Sequence, residues 1–156
     1  MAVKKRIQKS PRLNITIAIV ASHFNDFITK SLLNACVEEL KNRGLSDRNI
    51  TTVWTPGAFE IPLVALKLAK KKNIDAVICL GAVIRGETYH FEVVANEASR
   101  GIMEVSLLSG KPIVMGVLTT DTVTQAQKRA QDKGGNNKGR ESATTALEMV
   151  ALLKHL

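Results

Sequence analysis

The stretch DAVICLGAVI, Asp75 to Ile84, is the most apolar in the chain. It is too short to span a bilayer, which takes roughly 20 residues. It also lacks the polar residue at every second position that marks a strand wetted on one face. A short, Ile- and Val-rich run bounded by turn residues fits a strand buried on both faces, the centre of a parallel sheet. Toward the N-terminus, Glu60 to Lys72 reads as a helix, with Ile61, Val64, Leu68 and Ala69 on one face and Pro62 in the first turn, where proline is tolerated. The turn Thr55-Pro56-Gly57-Ala58 separates it from a strand at Ile50 to Trp54. Before that strand, Ile28, Leu32, Cys36 and Leu40 recur at four-residue steps and Gly44 stands where a helix-ending glycine belongs. NITIAIVAS, Asn14 to Ser22, is a first buried strand.

Toward the C-terminus a helix spans roughly Tyr89 to Leu108 and is broken by Gly110-Lys111-Pro112. IVMGVLTT, Ile113 to Thr120, is a fourth strand, and a helix runs from Thr124 to about Ala130. The glycine-rich KGGNNKG, Lys133 to Gly139, interrupts it. A last helix, Ser142 to Leu156, carries Ala143, Ala146, Leu147, Val150 and Leu153 on one side. Strand and helix thus alternate four times, which predicts an α/β fold: a three-layer α/β/α sandwich on a four-stranded parallel sheet, with right-handed crossovers and flavodoxin-like winding. In such a sheet the turns after Ser22, Trp54, Ile84 and Thr119 are expected to converge on one cleft beyond the strand ends. Four strands leave exposed edges, which favours self-association.

The 156 residues make one domain, expected over 13–156, behind a basic and flexible tail over 1–12 that carries Lys4, Lys5, Arg6, Lys9 and Arg12. The net charge of +8 raises the question of nucleic acid, but five of the cations sit in that tail and the six aromatics are not interleaved with basic residues. No nucleic-acid partner is expected. With no apolar stretch of membrane-spanning or signal-peptide type, no membrane association is expected either, and the cytoplasm is the expected compartment. Cys36 and Cys79 read as reduced core residues.

The strand ends carry HFND (His23 to Asp26), PGAFE (Pro56 to Glu60), RGETYH (Arg85 to His90) and TTDT (Thr119 to Thr122). Gly86 allows close approach of a ligand to the backbone, and a helix opening at Thr88 offers free N–H groups to an anion; a simple capped turn is the other reading. His90, one turn into that helix, is the natural proton shuttle, although a lone histidine is more often a surface or capping residue. Phe24 and Phe59 suit a flat heteroaromatic ring at the cleft mouth, or plug the end of the sheet. Glu60 accepts hydrogen bonds from a polyol or amine, or simply begins its helix. Arg129 and the lysines of KGGNNKG offer cations to a phosphate, or are solvated. No GxxxxGK[ST] and no GxGxxG after the first strand occurs, and no His/Glu pair at a ligand spacing on one helix has an obvious third ligand, so neither a nucleotide cofactor nor a metal is expected.

Taken in order, FND at 24–26, PGAFEIP at 56–62, LGAVIRGETYH at 80–90, GVLTT at 116–120 and NKG at 137–139 resemble the lumazine synthase family from about Leu13 onward. The resemblance implies a cofactor-free enzyme of riboflavin biosynthesis. It would condense 5-amino-6-ribitylaminouracil with 3,4-dihydroxy-2-butanone 4-phosphate to give 6,7-dimethyl-8-ribityllumazine, phosphate and water. It places Phe24 against the pyrimidine, Ala58, Phe59 and Glu60 around the ring and ribityl chain, and Ala82, Val83 and Ile84 on the pyrimidine. Glu87, Thr88 and Arg129 would bind phosphate, and His90 would move protons. Met115 stands near the pyrimidine where many members carry phenylalanine, and KGGNNKG is one residue longer than the turn of members that form icosahedral shells. Lys138 and Glu141 match a charged pair beyond that turn. Sites lie between subunits in the family, so a homopentamer is expected in preference to a sixty-subunit shell, with a riboflavin synthase as a candidate partner.

Overall fold

In the computed structural model, which describes residues 13–132 and 136–156, the sheet is built around Ala76–Ile84 (β3), whose residues are buried up to the last one. Ile17–Ser22 (β1) lies beside it in parallel, fully buried, pairing with β3 through Ile17 to Ala21. Ile50–Thr55 (β2) and Ile113–Thr120 (β4) form the two edges. The order β2-β1-β3-β4 is all parallel, the expected flavodoxin-like winding. Both central strands lack polar alternation because helices cover both of their faces.

Asp26–Asn42 (α1), Val123–Ala130 (α4) and Lys138–Leu153 (α5) cover one face, where Ile28, Leu32, Cys36, Ala126, Ala143 and Ala146 pack on Ile17, Ile19, Ile78 and Leu80. Ile61–Ala69 (α2) and His90–Ser109 (α3) cover the other, where Ile61, Ala65, Ala98 and Ile102 meet Ala18, Val20, Val77 and Cys79. The alternate residues of each strand therefore feed two separate cores. Both cysteines are buried in them as free thiols, and burial pushes each thiol up to about 12. No helix among the described residues is long and apolar enough to cross a membrane.

Several boundaries differ from the sequence expectation. β1 begins at Ile17 because Thr16 is engaged by Asp75, whose carboxylate accepts its N–H at 2.7 Å and whose own N–H donates back to the Thr16 carbonyl. The last helix starts at Lys138, four residues before the expected Ser142. Asn137 caps it: its Oδ1 accepts from the Gly139 and Arg140 N–H groups, while Nδ2 donates to the Ala130 carbonyl at 2.6 Å and ties off α4. Gly139 is a helical residue set against the backbone of Leu32, where a Cβ would come within 2.6 Å of the carbonyl carbon. At the far end of α5, Leu153 is 39% exposed and does not join the core face with Ala143, Ala146 and Val150. The basic tail, Lys133 and the glycines that lengthen KGGNNKG lie outside the described residues.

Candidate active site

Beyond the carboxyl end of β1 the chain bends while staying bonded to its neighbour: His23 N–H donates to the Thr55 carbonyl and Phe24 N–H to that of Pro56. The His23 ring stacks on Trp54, with centroids 4.6 Å apart. Asn25 then turns the chain into α1 in the left-handed conformation (φ 59°, ψ 41°), the single positive-φ residue other than glycine among those described. Asparagine tolerates this conformation better than most residues. Its Nδ2 donates to the Ala82 carbonyl at 2.8 Å, which binds the β1 turn to the end of β3. The immediately preceding Phe24 is left 72% exposed at the rim.

After β2, the Thr55 hydroxyl donates to the Gly57 carbonyl at 3.0 Å, and Ala58–Glu60 makes one 3₁₀ turn. Glu60 folds back so that Oε2 accepts the Gly57 N–H at 3.0 Å. Its second oxygen is then available to a ligand. Ala58 is buried as a floor residue, while Phe59 is half exposed.

After β3, Arg85 to His90 form an exposed loop running into α3. Here two sequence expectations need correction. His90 is the first residue of α3, not one turn inside it, and the cap position is Tyr89, not Thr88. Thr88 Oγ1 still accepts the His90 N–H, at 3.4 Å. A Cβ on Gly86 would meet nothing within 4 Å, so the loop faces open space there.

These turns enclose a cavity of about 700 Å³ lined by Phe24, Ala58, Phe59, Glu60, Ala82, Val83, Ile84, Thr88 and His90, with Pro56, Gly57, Gly86, Phe91, Val93 and Val94. Ten residues singled out from the sequence, Gly86 among them, thus share one cleft. Glu87 is exposed on the same loop but outside the lining. The cleft combines aromatic rims, a small apolar floor, one carboxylate, an imidazole and the N–H end of a 20-residue helix. A flat ring can lie on the apolar part while an anion sits at the helix end. Among the described residues no three His, Cys, Asp or Glu side chains are grouped as a metal site requires.

Convergence is incomplete, because only three of the four turns line this cleft. Met115 and Arg129 line a second cavity, of about 600 Å³, along the free edge of β4, with Lys138, Glu141 and Ser142. Arg129 is exposed and donates to the Gln125 carbonyl; Lys138 pairs with Glu141 at 2.6 Å. The fourth turn contributes Asp121, which accepts from Arg85 Nε at 2.7 Å. Arg85 also pairs through Nη1 with Glu92 and lies over the Phe91 ring, 4.3 Å from its centroid. The Arg85 hydrogen bond holds the Glu92 carboxyl below the usual carboxylate range. Sequence reading missed Arg85, whose partners stand 7 and 36 positions away and carry no local signal.

The family model of 6,7-dimethyl-8-ribityllumazine synthase matches residues 14–154, which include every residue of both cavities, and the chain belongs to that family.

Proposed function

We propose that the chain condenses 5-amino-6-ribitylaminouracil with 3,4-dihydroxy-2-butanone 4-phosphate to give 6,7-dimethyl-8-ribityllumazine, without a cofactor, as a homopentamer in the cytoplasm. The observation that carries this reading is one cleft in a member of this family that gathers Phe24, Glu60, Val83, Thr88 and His90. Phe24 would cover the pyrimidine, the backbone of Ala82 to Ile84 would contact its edge, and Phe59 and Glu60 would hold the ribityl chain. The phosphate would lie at the Gly86–Thr88 loop and the start of α3. Within one chain that anion site lacks a cation in the cleft lining. Arg129, with Met115 beside it on the free β4 edge, would complete the site from a second copy.

Chemically, the substrate amine attacks the ketone and the imine forms with loss of one water. Phosphate leaves by elimination, and the resulting carbonyl closes the second ring with loss of another water. Every step is a proton transfer, a carbon–nitrogen bond formation, or a carbon–oxygen cleavage that releases phosphate or water. Orientation of the two substrates contributes roughly 7–11 kcal/mol, and His90 as acid–base adds about a hundredfold or more.

Mixing both substrates with the purified chain and following lumazine absorbance tests the reaction; tight flavin binding without turnover would identify a carrier instead. His90→Ala is expected to lower kcat more than it weakens binding. Co-refolding His90→Ala with Arg129→Ala tests the shared site. If the halves come from different copies, about a quarter of the sites regain both side chains. No regain places both residues in one copy's site and refutes the shared arrangement. Sedimentation of a sixty-subunit particle would rule out the pentamer.

A further inference from the structure

The loop that leads from β3 to the start of α3 is exposed from Arg85 to His90, and its first residue is anchored by Arg85 N–H donating to the Thr120 carbonyl at 2.9 Å. Everything that the proposed phosphate site requires of this chain hangs on that loop. The side chain of Arg85 runs between two other elements: Nε donates to Asp121 in the β4–α4 turn, Nη1 donates to Glu92 in the first turn of α3, and the guanidinium plane covers Phe91. Asp121 is itself held, since its N–H donates to Gln125 Oε1 at 2.8 Å. Phe91 in turn forms part of the cleft wall. One planar cation therefore ties together the end of β3, the first turn of α3 and the turn that opens α4. Only a fork of this shape can engage two carboxylates and an aromatic face at once.

We infer that Arg85 is a positioning residue for the anion site. It acts through Glu92 and Asp121, neutralising two carboxylates beside the β3–α3 loop whose charge would otherwise repel an anion at the start of α3. It is not a phosphate ligand, because its Nε and Nη1 donate to carboxylates and it lies outside the cleft lining. This inference rests on the proposed function, which puts phosphate at that loop. Glu92 is the more consequential of the two acids: it stands two residues beyond His90, and its side chain is 29% exposed against 64% for Asp121. An unpaired carboxylate there opposes the attraction of the helix N-terminus for an anion.

The test uses the assembled wild-type protein, Arg85→Met, Arg85→Lys, Arg85→Met/Glu92→Gln/Asp121→Asn, and Glu92→Gln/Asp121→Asn. The readouts are KM for each substrate, kcat, and inhibition by inorganic phosphate. Each exposed charge pair is modest, so Arg85→Met is expected to raise KM for the butanone phosphate, and the inhibition constant of phosphate, about fivefold. KM for the pyrimidine should stay within about twofold. Arg85→Lys keeps the charge without the fork and should fall between. Removing both acids alongside Arg85 should recover most of the phosphate affinity, since the repulsion is gone. Equal changes in both KM values, no change in either, or failure of the triple variant to recover would overturn the inference. Should Arg85→Met fold poorly, Glu92→Gln/Asp121→Asn supplies the reverse arm: freeing the arginine should tighten phosphate inhibition, and weakened inhibition would overturn it. Absence of turnover in the wild type sinks the proposed function, whereas normal wild-type turnover with an unaltered Arg85→Met sinks this inference alone.

Discussion

Ser22 and Gly81 form a pair beneath the cleft whose interaction can be measured in a double-mutant cycle. Ser22 ends β1 at 1% exposure, and its Oγ is the buried side-chain polar atom without a hydrogen-bond partner among the described residues. A Cβ on Gly81, on the adjacent strand β3, would lie 2.5 Å from that Oγ but 3.4 Å from the Ser22 Cβ and 3.6 Å from Ile61 Cδ1. The hydroxyl is thus the obstacle. Gly81→Ala should gain about 0.5–1 kcal/mol from reduced freedom of the unfolded chain and lose about 1–3 kcal/mol to overpacking, a net destabilisation of roughly 1–2 kcal/mol. Ser22→Ala removes an unsatisfied buried hydroxyl and should stabilise by about 1 kcal/mol. In that background Gly81→Ala meets only ordinary contacts and becomes neutral or stabilising. The coupling is then about 2 kcal/mol, well above the roughly 0.5 kcal/mol within which independent sites add. Guanidinium unfolding followed through Trp54, the chain's one tryptophan, reads it at fixed protomer concentration, because association shifts apparent stability. A coupling below about 0.5 kcal/mol would refute the reasoning, since the hydroxyl would then turn away freely.

Gly139→Ala, ordinarily worth about 1 kcal/mol of helix propensity, should instead destabilise by about 2–3 kcal/mol, because the new Cβ meets the Leu32 backbone and no rotamer relieves it. A thermal melt lowered by roughly 4–12 °C is expected, and an unchanged or raised melt would contradict the close approach of α5 to α1. Cys36 and Cys79, buried with thiols pushed up to about 12, should both resist a thiol-specific reagent at pH 8 in the native protein and both react in guanidinium. Glu92, held below its ordinary value of 4.5 by Arg85, binds fewer protons folded than unfolded. Its contribution to stability should be complete above pH 4.5 and lost as pH falls through the lower folded value, so the melting difference between wild type and Glu92→Gln should shrink on acidification.

The alternation of buried runs and four-residue periodicities was enough to place all four strands in a parallel sheet covered by helices on both faces, because burial on two faces or one is written locally, residue by residue. The strand-end turns likewise marked Phe24, Phe59, Glu60, Gly86, Thr88 and His90 of one cleft, and their joint resemblance gave the family and, with it, Ala58, Ala82, Val83 and Ile84. What local pattern could not supply was which distant groups meet. Asn25 reaching the Ala82 carbonyl, Gly139 lying on Leu32, and Arg85 joining Glu92 to Asp121 all depend on chain positions that only packing brings together. Asn137 was read as part of a glycine-rich interruption because a capping side chain looks like any loop asparagine until the helix behind it is seen. The division of the expected site is the clearest case. The resemblance grouped Met115 and Arg129 with the other binding residues, and within one chain the fold puts them on the free edge of β4, in a different cavity from Phe24 and His90. A parallel sheet turns its strand ends toward one cleft, but the last strand keeps one side unpaired, and residues along that side line a cavity of their own.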